Sequence, residues 1–168
     1  MRILQISQLL VSFIATTSIL NSQNGFENIE VIYQIPGEEI DFYDGDQGPY
    51  GGGIALGDIN NDGLDDIYLS GNQKPDKLYL NLGNLKFKDI SLSSKISQDA
   101  TWSTGVTMVD VNNDGFIDIY VCKVGNYKGL KATNELFINN GDNTFNEKSA
   151  DYGLNFSGFS TQASFFDY

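Results

Sequence analysis

The chain has 168 residues, with 22 acidic and 10 basic side chains and a formal net charge of −12. That balance argues against nucleic acid or an anionic membrane surface as partner, because both are bound through clustered Lys and Arg. With no histidine and one cysteine, Cys122, His-based triads, His-ligated zinc and an internal disulfide are all excluded.

Residues 1–23 hold Arg2 ahead of an apolar stretch that runs without further charge until Glu27. Interspersed polar residues such as Gln5, Gln8 and Ser12 weaken it as a membrane span. It reads as a secretory signal peptide, which predicts an exported protein (periplasmic, cell-surface or extracellular) with no membrane span after cleavage. Residues 24–49 form a lead-in segment in which VIYQI is a candidate strand and DFYDGDQGP a loop. Asp44 and Asp46 in that loop are minor candidates for a cation site.

From residue 50 the chain repeats itself. YGGGIALGDINNDGLDDIYL (50–69) overlays WSTGVTMVDVNNDGFIDIYV (102–121), so that Gly53 meets Gly105, Asp58 meets Asp110 and Asp66 meets Asp118. LYLNLGNLKF (78–87) overlays LFINNGDNTF (136–145), matching Asn81 to Asn139 and Gly83 to Gly141. The second copy is longer between Asp118 and Leu136, and Lys123, Lys128 and Lys131 are expected there in a solvated loop. FSTQASFFDY (159–168) opens a third copy and places Asp167 at the start of its loop. The boundaries are therefore repeat 1 at 50–101, repeat 2 at 102–158 and the start of repeat 3 at 159–168. A third copy broken off inside its loop reads as a fragment of a longer protein.

Each repeat predicts four short strands. The first two are Ile54–Leu56 and Ile67–Leu69 in one copy, Val106–Val109 and Ile119–Val121 in the other. KLYLN or ELFIN is the third, and the fourth surrounds Phe87 or Phe145. Asn and Gly at 81–84 and 139–142 supply the positive φ that a tight hairpin needs. Four antiparallel strands per repeat of this length predict propeller blades, which bury both faces only against neighbours. The fold class is thus all-β: a partial β-propeller of about two four-stranded antiparallel blades plus the start of a third. Tyr50, Trp102 and Phe159 share one position before the first strand, suited to packing between blades or to stacking on a ligand. Cys122 aligns with Ser70 and reads as a small residue near a strand end.

The loop between the first two strands is the candidate site. Counting from Asp58, oxygen side chains stand at positions 1 (Asp58), 3 (Asn60), 5 (Asp62) and 9 (Asp66), with glycine at 6 and the Leu64 carbonyl available at 7. The second copy supplies Asp110, Asn112, Asp114, Asp118 and the Phe116 carbonyl. Alternating oxygens around a glycine turn suit Ca²⁺, which takes six to eight oxygens at about 2.3–2.6 Å. Asp65 has no acidic counterpart, since Ile117 stands there, and reads as a solvated charge. The competing reading is a pair of Asx-rich hairpin turns without metal. An EF-hand fails at position 12, where Leu69 and Val121 replace the bidentate Glu.

At these residues the chain resembles FG-GAP/VCBS repeats, the blades of integrin-α-like β-propellers. STGVTMVDVNNDGFIDIYVC and FSTQASFFDY are similar to secreted bacterial proteins that carry such repeats ahead of a C-terminal ASPIC/UnbV domain. The resemblance implies Ca²⁺ in the loop between the first two strands of each blade, in rings usually of seven. The remaining blades would come from a missing C-terminal part. No nucleophile elbow, phosphate loop or thiol motif appears, and the expected role is binding or adhesion to a protein or glycan ligand, without catalysis. The alternative is the scaffold portion of a secreted polysaccharide-active enzyme whose catalytic part lies elsewhere.

Overall fold

The computed structural model describes residues 52–166, together with the short antiparallel strands β1 (Gln34–Ile35) and β2 (Glu38–Glu39). The chain divides into two units, residues 1–49 and 50–168. The signal peptide 1–23, most of the lead-in segment, Asp44, Asp46, Tyr50 and Asp167 lie outside the described residues.

The second unit holds two four-stranded antiparallel sheets and, among the described residues, no helix. The first sheet runs in the order β3 (Ile54–Gly57), β4 (Asp66–Leu69), β5 (Lys77–Asn81) and β6 (Phe87–Asp89). The second repeats that order with β7 (Ser103–Val109), β8 (Asp118–Lys123), β9 (Glu135–Asn139) and β10 (Phe145–Glu147). These are two consecutive propeller blades, each a simple meander of neighbours in sequence. The expected strands fall in place and extend by a few residues at their ends.

Alternation across the strands explains the packing. Ile119 and Val121 of β8 and Phe137 of β9 face the first blade, where they meet Ile59, Tyr68, Leu78 and Ile90 in one buried cluster. Tyr120, Cys122 and Leu136 point to the opposite face, covered by Leu154, Ala163 and Phe165 from the chain that follows. A strand buried on both faces cannot alternate apolar with polar, which is why IYL and IYVC run on without a charged residue after Asp66 and Asp118.

Glycine sets how closely the blades approach. Gly53, just before β3, donates its N–H to the Thr104 carbonyl of β7 at 2.8 Å. A Cβ on Gly53 would stand 2.3 Å from that same oxygen, and one on Gly105 would stand 2.3 Å from the Thr161 carbonyl. The two glycines occupy one repeat position, and each admits the backbone of the next repeat. Residues 159–166 form no strand, but they take the place that β7 takes against the first blade. Phe159 bridges Val124 as Trp102 bridges Asn72.

One expectation is corrected. Lys123 does not lie in a solvated loop: it ends β8 and is 2% exposed, with Nζ 2.6 Å from Glu135 Oε2. The register β8–β9 places Val121 opposite Glu135, so the strand carries Lys123 inward before the insertion begins. Lys128 and Lys131 are exposed as expected, Lys128 over the Tyr127 ring. Tyr127 packs edge-on between Trp102 and Phe159, with centroids at 6.4 and 5.1 Å. These rings thus join successive repeats.

Candidate metal-binding loops

Loop 1 spans residues 58–65 and is closed by the pair Gly57 and Asp66; loop 2 spans 110–117 and is closed by Val109 and Asp118. Both loops carry the same internal hydrogen bonds. Asp58 accepts the N–H of Asp62 at 3.0 Å and of Gly63 at 2.8 Å. Asp110 accepts those of Asp114 at 3.1 Å and Gly115 at 2.8 Å. Asn60 Oδ1 accepts from Asp62 N–H at 3.2 Å, and its amide donates to Asp62 Oδ2 at 3.0 Å. Asn112 does the same with Asp114, at 3.1 and 2.8 Å. Asp62 and Asp114 each accept the following N–H of Leu64 or Phe116 at 2.8 Å.

The backbone must turn left-handed twice to make this wrap. Gly63 and Gly115 sit at φ +87° and +89°, and Asn61 and Asn113 at +59°. Glycine and asparagine are the residues that tolerate that region best. Position 7 explains its apolar side chain: Phe116 lies against Gly141 of the β9–β10 hairpin, and Leu64 lies near Gly83 of the β5–β6 hairpin.

Position 9 behaves differently from positions 1, 3 and 5. Asp66 and Asp118 are 0% exposed. Asp66 accepts Ile59 N–H at 3.0 Å and Asn81 N–H at 2.8 Å, tying the loop to the end of β5. Asp118 accepts Val111 N–H at 3.0 Å and Asn139 N–H at 2.8 Å. Burial pushes the Asp66 carboxyl up to about 6, against the two N–H donors and with the charges of Asp62 and Asp58 adding to the rise. Asp118 is raised for the same reasons, burial first, with Asp114 and Asp110 adding to it.

The structure thus brings Asp58, Asn60, Asp62, Leu64 and Asp66 into one loop, and Asp110, Asn112, Asp114, Phe116 and Asp118 into the other. Asp65 is half-buried, and its carbonyl accepts from the Asn81 amide at 2.9 Å. Among the described residues no three His, Cys, Asp or Glu side chains form a ready-made metal cluster. The donor set mixes carboxylates with an amide and a main-chain oxygen.

Four further residues shape the site without a clear mark in the sequence. Asn61 and Asn113 were visible only as identical asparagines at position 4. Asp76 and Asn134 precede β5 and β9 and act as straps. Asp76 accepts from Gly71 N–H, Tyr68 O–H and Ser103 O–H at 2.7, 2.7 and 3.1 Å. Asn134 accepts Lys123 N–H and donates to Tyr120 Oη and Ser160 Oγ, all at 2.9 Å. Their common place in the repeat was the available signal, masked by the difference between Asp and Asn.

Residues 58–121 match the family model described as an FG-GAP-like repeat. The chain is 35% identical over 79 residues to cartilage acidic protein 1 of Xenopus tropicalis. It is 32% identical over 79 residues to cartilage acidic protein 1 of Mus musculus. Each alignment covers 47% of this chain and 12% of the relative, so the chain spans about an eighth of the length of these relatives. Among the described residues no helix is long and apolar enough to cross a membrane. The matched stretch runs from the first loop to the middle of β8, so the likeness to an FG-GAP-like repeat falls on two adjacent propeller blades.

Proposed function

We propose that the two loops bind Ca²⁺ and that the ions act structurally in an exported, non-catalytic binding or adhesion module. The observation that carries this reading is the duplication of one hydrogen-bond pattern at the same corner of two blades, around an all-oxygen donor set. Oxygen-only donors suit a hard cation rather than zinc or copper. A carboxylate oxygen that accepts one N–H keeps a lone pair for a cation. Asp58, Asn60, Asp62, the Leu64 carbonyl and Asp66 would hold one ion. Asp110, Asn112, Asp114, the Phe116 carbonyl and Asp118 would hold the second, and Asp167 would begin a third site. A bound Ca²⁺ supplies positive charge where burial and neighbouring carboxylates act against the anionic form of Asp66.

The protein's own residues position that charge. The Asx hydrogen bonds hold the loop wrapped, and Asp66 and Asp118 fasten it to the third strand of the blade. The module would work at the cell envelope or outside the cell on a protein or glycan ligand, with further blades completing the ring. Calorimetric titration of the full chain with Ca²⁺ tests the site assignment. Two ions are expected for the native sequence and one each for Asp62→Ala and Asp114→Ala. Two ions retained in the double variant would reject the assignment.

A further inference from the structure

Two hydrogen-bonded routes join loop 1 to loop 2. The buried route passes through Asn139. Asp66 Oδ2 accepts Ile59 N–H at 3.0 Å, the Ile59 carbonyl accepts from Asn139 Nδ2 at 2.8 Å, and Asn139 N–H donates to Asp118 Oδ1 at 2.8 Å. The same Nδ2 donates to the Ile117 carbonyl at 3.0 Å. An amide nitrogen has two hydrogens, and Asn139 gives one to each loop. Its Oδ1 accepts Gly141 N–H at 2.9 Å, which fixes the amide's orientation. The exposed route is a single bond, from Asn61 Nδ2 in loop 1 to the Gly115 carbonyl in loop 2 at 3.0 Å.

The two routes converge on one carbonyl. Gly115 and Ile117 flank Phe116, whose carbonyl is the expected position-7 ligand of loop 2. One flanking peptide is held by loop 1 directly and the other by Asn139, which also holds Ile59 between positions 1 and 3 of loop 1. An ion that tightens loop 1 therefore fixes the groups that align the ligand carbonyl of loop 2.

We propose that Asn139 and Asn61 are positioning residues that couple the two loops as cation sites, so that filling one raises the affinity of the other. This inference rests on the calcium reading above. The ordering of the shared groups is met once, by whichever ion binds first. Repulsion between the ions opposes the effect, but it is screened by salt over about 8–10 Å and does not depend on Asn139. Removing the asparagines therefore separates the mechanical part from the electrostatic part.

The amide resonances of Gly63 and Gly115 report the loops separately during a Ca²⁺ titration of the full chain. In the native sequence, disabling loop 1 with Asp62→Ala should weaken the Gly115 midpoint by about fivefold or more, the lower range of known coupling. In the Asn139→Ala background only the exposed route remains, so the same change should shift that midpoint by no more than half as much. Asn61→Gly keeps the left-handed turn and leaves the core intact, so it reads the exposed route even if Asn139→Ala fails to fold; the Asp62→Ala effect should at least halve. An unmoved Gly115 midpoint in Asp62→Ala alone overturns the coupling while leaving the calcium reading standing. No response of either glycine to Ca²⁺ overturns the calcium reading itself. A full effect surviving in both asparagine variants overturns the assigned route.

Discussion

Asp76 and Asn134 show how one repeat position accommodates two chemistries. Both sit before the third strand, both accept an N–H at or just past the end of the second, and both meet one tyrosine and one serine hydroxyl. A hydroxyl is donor or acceptor as needed, so Tyr68 and Ser103 donate to the carboxylate whereas Tyr120 and Ser160 accept from the amide. The serine belongs to the following repeat each time, so this strap also locks adjacent repeats together. Asp76→Asn should therefore be tolerated, within about the 1 kcal/mol of one net hydrogen bond. The charge is what would change. Burial raises the Asp76 carboxyl, opposed by the Gly71, Tyr68 and Ser103 donors and by the Lys123 charge. A folded value above the unfolded one means that the folded state holds the proton more tightly. The corresponding stability is complete below the ordinary value of 3.8 and is lost as pH climbs through the folded value. Asp76→Asn should thus gain on the native chain as pH rises from 3.8 towards neutrality, read as diverging urea midpoints in EDTA. Parallel curves would refute it. Lys123 belongs to the same network, a role its sequence context does not announce. Lysine in an insertion is solvated by default, and only the β8–β9 register brings it against Glu135.

At the scale of elements the sequence was most informative, because repetition supplies an internal comparison. The loops, the hairpin glycines and the strand runs were each visible twice, and Leu69 and Val121 identified the segment after the loop as a strand. Contacts between repeats were not visible, because alternation assigns a face to a residue but does not say what covers it. Gly53 and Gly105 illustrate the limit. Their alignment was plain, but their cause, a neighbouring carbonyl 2.3 Å from any Cβ, is tertiary. Gly105→Ala should push the Thr161 backbone away from β7 and cost about 1–3 kcal/mol, the usual range for overpacking. Its thermal midpoint should fall by several degrees; an unchanged midpoint would show that residues 159–166 do not press on β7 as described.

For the whole molecule, charge and repetition meet in one account. Seven of the 22 acidic residues lie in the two loops and the strand residues that close them. Asp66 and Asp118 are buried beside further carboxylates, so the fold concentrates anionic groups where each blade turns from its first strand into its second. The sandwich of blade on blade fixes where those corners stand, and Asn139 and Asn61 tie them together. We propose Ca²⁺ as the structural counter-charge at those corners. The most direct test is thermal unfolding of the full chain in millimolar Ca²⁺ and in EDTA. An ion that binds only the folded state stabilises it by about 2.7 kcal/mol per site at a hundredfold excess over Kd. The midpoint should be higher in Ca²⁺ and keep rising with its concentration; coincident unfolding curves in Ca²⁺ and EDTA would rule out a structural ion.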